Sequence, residues 1–300
     1  MPQDGIYHFL TAEDLARLGR VSIGSRFTVE GAAAGAHRSN LKGVSVEFAD
    51  YRQYVPGDDP KHLDWRVFGR NERLYLREYE EETSLRVHLL VDSSRSMAYA
   101  SKDTSKFQYA STLATAIAYI TIHHQDTAGL AIFDSRCRQI LPPRNGPEHL
   151  RTLANTLANT TPDAKTDLAA TLHLIAEQTR KRGLVVILSD LFDDINKIKA
   201  ALAHFRRRKH DVVVYQILDQ AEIDFPFRES TAFEDLETTD KITTNPREIR
   251  EAYQQTIGTF LLHCKQTCAS LGIDHQLLST NKNPIDALLQ HLKQRALVGR

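Results

Sequence analysis

The chain has 300 residues, in which 38 lysine and arginine residues balance 38 aspartate and glutamate residues, and 41% of the residues are hydrophobic. This is the composition of a globular protein, and it excludes collagen-like, low-complexity and wholly disordered chains. A formal net charge of zero provides no overall field that would draw the protein to nucleic acid or to an anionic membrane. We therefore expect local features to select a partner, and we expect no binding to nucleic acid.

Cysteine content and apolar runs bear on the compartment. Three cysteines do not suit a disulfide framework, and the first twenty residues lack the basic start and apolar core of a signal peptide. The sequence also contains no run of about 18 apolar residues, so no membrane-spanning helix is predicted. From these features we expect a cytoplasmic protein without membrane insertion.

Residues 1–84 differ in pattern from the rest and are predicted to form an N-terminal extension. Thr11 and Asp14 give a capping-box pattern, which predicts a short helix from Thr11 to Leu18. The stretch from His37 to Glu82 is dense in Arg, Asp, Tyr and Gly, and it contains no helical period longer than two turns. We expect loops and short strands that pack on the following domain.

Residues 85–300 show alternating strand and helix patterns. The runs at Leu184–Ser189 and Val212–Leu218 are apolar on both faces, which is typical of parallel strands covered by helices on each side. The order predicts an α/β fold, a doubly wound and mostly parallel sheet flanked by helices, with an irregular excursion near 219–245. Further strands are predicted at Arg86–Val91, Ala128–Phe133, Arg138–Leu141 and Ile273–Leu278, and helices at Lys106–His124, Pro147–Asn159, Asp167–Arg182, Ile195–Arg208, Pro246–Leu271 and Pro284–Arg295.

Polar residues follow two of these strands. Asp92, Ser94 and Ser96 come after the first strand of the sheet, and Asp190 comes after Leu184–Ser189. Thr166 stands just before a predicted helix and offers another hydroxyl. Ligands of such sheets bind at the carboxyl ends of the strands, and carboxylate and hydroxyl oxygens are hard ligands that suit Mg²⁺ or a similar divalent ion rather than zinc.

The order Asp-x-Ser-x-Ser, then Thr-Asp-Leu, then an aspartate after an apolar strand resembles the metal-ion-dependent adhesion site of von Willebrand factor A-type domains. The resemblance implies that the set surrounds one Mg²⁺, Mn²⁺ or Ca²⁺ ion and leaves a coordination position for an acidic side chain of a partner protein. It implies a docking point, not a catalytic centre. One departure is Leu191, since many members have glycine after the second aspartate. The implied metal ligands are Asp92, Ser94, Ser96, Thr166 and Asp190.

A second motif lies in the N-terminal extension. It resembles a bacterial and archaeal family of unknown biochemical function, in which such a stretch precedes a von Willebrand A-type domain, and the resemblance covers about His37 to Asp219. It implies a MoxR-type AAA+ ATPase as partner and a chaperone-like role in the assembly or maturation of client proteins. The matching residues are Tyr54, Pro56, Gly57, Asp58, Asp59, Asp64, Trp65 and Arg70.

Two physical roles are open for this motif. Its charged residues can form an ion-pair network that clamps the segment to the sheet. Alternatively, Trp65, Arg66 and Arg70 are exposed anchors for the ATPase or a client, because Trp and Arg often dominate interface energetics. The sequence does not decide between these roles.

Three functions compete. The first is a non-enzymatic adaptor that docks acidic residues of a partner at its metal site. The second is a Mg²⁺-dependent phosphoester hydrolase or phosphotransferase that uses Asp92, although the haloacid-dehalogenase pattern requires a second aspartate where Ser94 stands. The third is a scaffold whose site binds no metal. No GxxxxGK[ST] loop is present, so we expect the chain itself not to hydrolyse ATP, and we expect the adaptor.

Overall fold

The computed structural model describes residues 5–23, 47–55, 63, 65–71, 74–80, 85–163, 167–227, 231–234, 241–244 and 246–298. The chain divides into two compact units, Arg26–Ser84 and the combination of Met1–Ser25 with Leu85–Arg300. Helix α1 (Ala12–Leu18) begins at Thr11 with the predicted capping box to Asp14. It belongs to the larger unit, whereas the sequence grouped it with residues 1–84, because Leu10 and Leu18 are buried in the larger unit's core.

The smaller unit contains two short strands and one short helix among its described residues. Strand β1 (Glu47–Gln53) pairs antiparallel with β2 (Tyr75–Glu80), and helix α2 (Trp65–Asn71) lies between them in the chain. Short strands were predicted here, but this helix was not. Its seven residues make only two turns, which is too short for an apolar period to be recognised.

The larger unit is built on one six-stranded sheet, and the predicted fold class is confirmed. The strand order is β10–β7–β6–β3–β4–β5, and every neighbouring pair is parallel except β4 with the edge strand β5. The strands are β3 (Arg86–Asp92), β4 (Thr127–Phe133), β5 (Cys137–Arg144), β6 (Leu184–Ser189), β7 (Asp211–Leu218) and β10 (Asp274–Ser279), and the main helices are α3 (Lys106–His123), α4 (Pro147–Ala158), α5 (Leu168–Gln178), α6 (Ile195–Arg207), α8 (Pro246–Ser270) and α9 (Pro284–Val298).

The described residues of the segment near 219–245 are more regular than the sequence predicted. A short helix α7 (Gln220–Asp224) follows β7 directly, with a capping box from Asp219. Strands β8 (Thr231–Glu234) and β9 (Lys241–Thr244) then form an antiparallel pair of their own. The predicted extended piece at Thr231–Leu236 corresponds to β8.

Helices cover both faces of the sheet, as the apolar runs predicted. Along β6, Leu184, Val186 and Leu188 are buried on the face packed by α3 and α9, whereas Val185 and Ile187 are buried on the face packed by α5 and α6. This alternation follows from the two-residue period of a strand. Because both faces are buried, the central strands hold a fixed register.

The strand order changes direction between β3 and β6. From β3 the chain adds β4 and β5 on one side, and it then returns to add β6 and β7 on the other. The register pairs Val91 with Leu188, so both strands end at the same level of the sheet edge. This crevice is where ligands bind in open α/β sheets. Asp92 and Asp190 therefore lie on the two sides of this crevice.

Gly183 allows the backbones of β3 and β6 to approach closely where this strand pair begins. A methyl group at this position would collide with the backbone carbonyl oxygen of Arg86. We therefore expect Gly183→Ala to lower the free energy of unfolding by about 1–3 kcal/mol. Gly258→Ala is the control, because Gly258 lies within α8 with nothing within 4 Å of an added Cβ, and it should stabilise by about 0.5–1 kcal/mol. Urea denaturation measures both, and an unchanged midpoint for Gly183→Ala would contradict the β3–β6 register.

Candidate functional site

Asp92 forms the buried floor of a polar cluster at the crevice. It is the last residue of β3 and is fully buried. The backbone N–H of Ser94 donates to its Oδ1 at 2.8 Å, and the hydroxyl of Ser189 donates to its Oδ2 at 2.6 Å. Ser189 is the last residue of β6, so this hydrogen bond joins the ends of the two strands. Both carboxylate oxygens of Asp92 are thereby held in place.

Asp190 forms the other side of the cluster. The hydroxyl of Ser96 donates to Asp190 Oδ2 at 2.7 Å, and the hydroxyls of Ser94 and Ser96 are 3.1 Å apart. The backbone N–H of Phe192 donates to Asp190 Oδ1 at 3.1 Å. The structure thus brings together four of the five predicted ligands. The fifth, Thr166, lies outside the described residues.

The spacing of these oxygens fits a small divalent cation. Two adjacent ligands of an octahedral Mg²⁺ ion, each about 2.1 Å from the metal, are about 3 Å apart. The oxygen separations of 2.7 Å between Ser96 and Asp190 and 3.1 Å between Ser94 and Ser96 match this value. Hydroxyl and carboxylate oxygens are the donors that Mg²⁺ and Mn²⁺ prefer. The metal site itself stays a prediction.

A buried lysine that the sequence analysis missed also belongs to this cluster. Lys106 Nζ lies 2.8 Å from Asp190 Oδ2 and 2.7 Å from Glu222 Oε1, and its side chain has no exposed surface. The ammonium group also lies 4.9 Å from the centre of the Phe192 ring. Glu222 is part of α7, which directly follows β7. The cluster therefore spans the ends of three neighbouring strands.

The pKa values of Asp92, Glu222 and Lys106 are all raised, for different reasons. Burial, with a smaller contribution from the nearby charge of Asp190, raises the pKa of Asp92 to about 7. Burial also raises the pKa of Glu222. For Lys106, burial opposes the charged form, but the carboxylates of Asp190 and Glu222 more than offset it, so its pKa lies above its ordinary value. At neutral pH the cluster contains one permanent cation facing these acids.

Leu191 adopts the backbone conformation that glycine would favour after the second aspartate. Its φ is 61°, in the left-handed region, where a side chain costs on the order of 1 kcal/mol. The side chain is buried among α5 and α6, and this packing offsets the cost. The departure from glycine in the sequence therefore leaves the turn intact, and Asp190 still points into the cluster.

Lys106 and Glu222 were missed because their contacts span 84 and 116 residues along the chain. One local signal was available for each. Lys106 is the first residue of an 18-residue helix, where a cation opposes the helix dipole and a long side chain points back toward the helix N-terminus. Glu222 lies three residues after Asp219, which directly follows β7 as Asp190 directly follows β6. Ser189, whose hydroxyl holds Asp92, was also missed, although it directly precedes Asp190.

Of the N-terminal partner-binding candidates, the structure describes one side chain. Trp65 is 65% exposed and lies edge-to-face against Phe68, with ring centres 6.2 Å apart. The side chains of Arg66 and Arg70 lie outside the described residues. An exposure this large suits a contact residue better than a member of a buried clamp. The role of Trp65 in binding stays a prediction.

Comparison with known proteins gives a family and several distant relatives. The sequence profile of the family described as "Protein of unknown function DUF58" matches residues 50–259. Uncharacterized protein Rv1480 of Mycobacterium tuberculosis is 28% identical over 214 residues, which cover 70% of this chain and 67% of that protein. The solved structure of an aerotolerance-related membrane protein from Bacteroides fragilis is 16% identical with a TM-score of 0.49. The match covers 70% of this chain and all of that chain. An uncharacterized membrane spanning protein from Vibrio fischeri is 15% identical with a TM-score of 0.25, covering 72% of this chain and 99% of that chain.

The expectation of a cytoplasmic protein is corrected by these comparisons. Both of these solved structures are of proteins described as membrane proteins. The expectation had rested on the cysteine count and on the lack of a signal-peptide pattern and of long apolar runs, and these features do not determine a compartment. Among the described residues, none of the helices has both the length and the apolar character needed to cross a bilayer.

The raised pKa of Asp92 predicts a pH dependence of stability in protein freed of divalent ions. Between the ordinary aspartate pKa of 3.8 and about 7, the folded state holds a proton on Asp92 that the unfolded state has released. This contribution to the free energy of unfolding therefore falls as the pH rises through that range. Asp92→Asn removes it, so its stability should fall less than that of the wild type between pH 5 and pH 8. Urea denaturation at several pH values in chelator tests this, and parallel curves for the two proteins would contradict it.

Proposed function

Since the chain belongs to the DUF58 family, whose profile covers more than two thirds of it, we propose a function from the geometry of its own polar cluster. The protein is a non-enzymatic adaptor. Asp92, Ser94, Ser96 and Asp190 surround one divalent cation, directly or through water. The cation is Mg²⁺ in the first instance, with Mn²⁺ or Ca²⁺ as alternatives. The cation offers an open coordination position, which binds an acidic side chain of a partner protein.

The observation that carries this proposal is the continuous set of oxygens at the crevice between β3 and β6. The hydroxyls of Ser94 and Ser96 and the carboxylate of Asp190 are neighbours at 2.7 to 3.1 Å, while Asp92 is fixed behind them by Ser189. Ser96 is partly exposed and Phe192 is 39% exposed, so the cluster lies next to solvent. A carboxylate arriving from outside has access to this side of the site.

The surroundings of Asp92 favour docking over catalysis. A nucleophilic carboxylate needs a free oxygen that reaches the substrate, but both oxygens of Asp92 accept hydrogen bonds and neither is exposed. The residue two positions on, where a general acid would be needed, is Ser94. These features support the adaptor over the Mg²⁺-dependent hydrolase or phosphotransferase.

The partner follows from the motif in the smaller unit and from the chemistry of the site. We propose a MoxR-type AAA+ ATPase, or a client protein assembled with its help, which presents an aspartate or glutamate to the cation. The exposed ring of Trp65 supplies a second contact surface. Large aromatic side chains of this kind often contribute much of the binding energy of an interface.

Calorimetric titration of chelator-treated protein with Mg²⁺ and Mn²⁺ tests the metal site. Asp92→Asn keeps the shape of the side chain but removes its charge, so we expect at least a tenfold loss of affinity, about 1.4 kcal/mol. Asp103→Ala is the matched control, because Asp103 is an exposed carboxylate on the loop before α3, and it should bind as the wild type does.

A peptide containing glutamate tests the docking step. It should bind more tightly in the presence of the ion, whereas the same peptide with glutamine should not. Equal ion affinity in the wild type and Asp92→Asn, or equal binding of the two peptides, would contradict the proposed function.

A further inference from the structure

Lys106 is a charged side chain enclosed entirely within the protein. A buried ammonium group is costly unless counter-ions replace its lost water. Lys106 has two, Asp190 at 2.8 Å and Glu222 at 2.7 Å, and the aromatic face of Phe192 lies nearby. Among the described residues, no other acidic group lies within ion-pair distance of it. The position of this lysine is therefore defined by two carboxylates.

One oxygen of Asp190 serves both the lysine and the candidate metal site. Asp190 Oδ2 accepts hydrogen bonds from Lys106 Nζ and from the hydroxyl of Ser96, whereas Oδ1 is held by the backbone of Phe192. An ion bound between Ser96 and Asp190 would use the oxygen that now binds the ammonium group. Two cations at one carboxylate oxygen repel each other strongly. The lysine and the ion therefore compete for Asp190.

Glu222 provides the lysine with a second, fixed acceptor. Its Oε2 accepts the backbone N–H of Asp219 at 2.8 Å, and its backbone carbonyl accepts the hydroxyl of Tyr253 at 2.8 Å. These contacts hold Glu222 in place through α7 and α8. Lys106 can leave Asp190 and still keep a full counter-charge, since Glu222 Oε1 already binds it.

We propose that Lys106 is the resident cation of this site, which neutralises Asp190 in the absence of a divalent ion and shifts onto Glu222 when an ion binds. The inference rests on the proposed function, because it concerns the same ligand cluster. It makes ion binding an exchange of one cation for another. Because the ion has to displace Lys106 from Asp190, the site binds it less tightly than its oxygen ligands alone would. Glu222 raises that affinity without contacting the ion, because it accepts the displaced lysine.

Three variants separate exchange from simple structural support. Lys106→Met removes the competitor, so Mg²⁺ and Mn²⁺ should bind at least tenfold more tightly. Glu222→Gln removes the alternative acceptor and leaves Lys106 on Asp190, so binding should weaken about tenfold. In the double variant Lys106→Met/Glu222→Gln the second effect should be much smaller, because there is no lysine left to redirect. The double variant also keeps the overall charge unchanged, which protects folding if Lys106→Met alone is unstable.

The experiment is calorimetric titration of the chelator-treated full chain and these variants with Mg²⁺ and Mn²⁺, supported by melting curves with and without ion. Lys102→Met is the control, since Lys102 is an exposed lysine on the loop before α3, and its affinity should equal that of the wild type. In the variants without Lys106, the ion should raise the melting temperature more than it does in the wild type.

The outcomes distinguish this inference from the proposed function. If the wild type binds the ion and the variants lacking Lys106 bind it within twofold, the inference is overturned and the metal-dependent function stands. If only the variants lacking Lys106 bind, the inference stands and the wild type does not use the metal as proposed. If no protein binds either ion, both are overturned.

Discussion

The parallel pairing of β3 with β6 is the constraint on which the polar cluster depends. Because Val91 pairs with Leu188, the two strands end at the same level, and Ser189 reaches Asp92 across the crevice. Helices on both faces bury the alternate side chains of these strands, so a register slip by one residue would exchange the side chains that pack in the two cores and disrupt both. The register that fixes the core therefore also fixes the distances within the site.

The cluster carries local costs that ordinary packing would avoid. It buries Asp92 and Lys106, it places a cation at the N-terminus of α3, and it holds Leu191 at a φ of 61°. Each cost is offset by a neighbour, since carboxylates neutralise the lysine, and burial stabilises Leu191. Departures from local preference that are compensated in this way concentrate at functional sites. All of these departures lie at the crevice between β3 and β6, so the stability of this edge of the sheet is linked to the chemistry of the site.

The sequence predicted the features that depend on local pattern. Short runs that are apolar on both faces, separated by helical segments, predicted the alternation of strands and helices. The position of Asp92 and Asp190 after two strands predicted the cluster. It could not predict Lys106 with Glu222, because their ion pair depends on where α3 and α7 begin in space. Helix α2 is too short to show a period. Helix α5 ends at Gln178, four residues before the predicted end at Arg182, where Thr179 and a charged run follow. The expected compartment was wrong because a cysteine count and the lack of a signal-peptide pattern or a long apolar run do not assign a location.

Cation exchange at Asp190 would give the protein a docking site in which Lys106 occupies Asp190 until an ion arrives. The central claim is that an ion occupies the space between the two serines and Asp190, and a crystal structure of the protein soaked in Mn²⁺ tests it most directly through the anomalous signal of the metal. The account predicts one anomalous peak about 2.2 Å from oxygens of Ser94, Ser96 and Asp190. A map at saturating Mn²⁺ without a peak in this crevice, or with the metal bound only elsewhere, would contradict it.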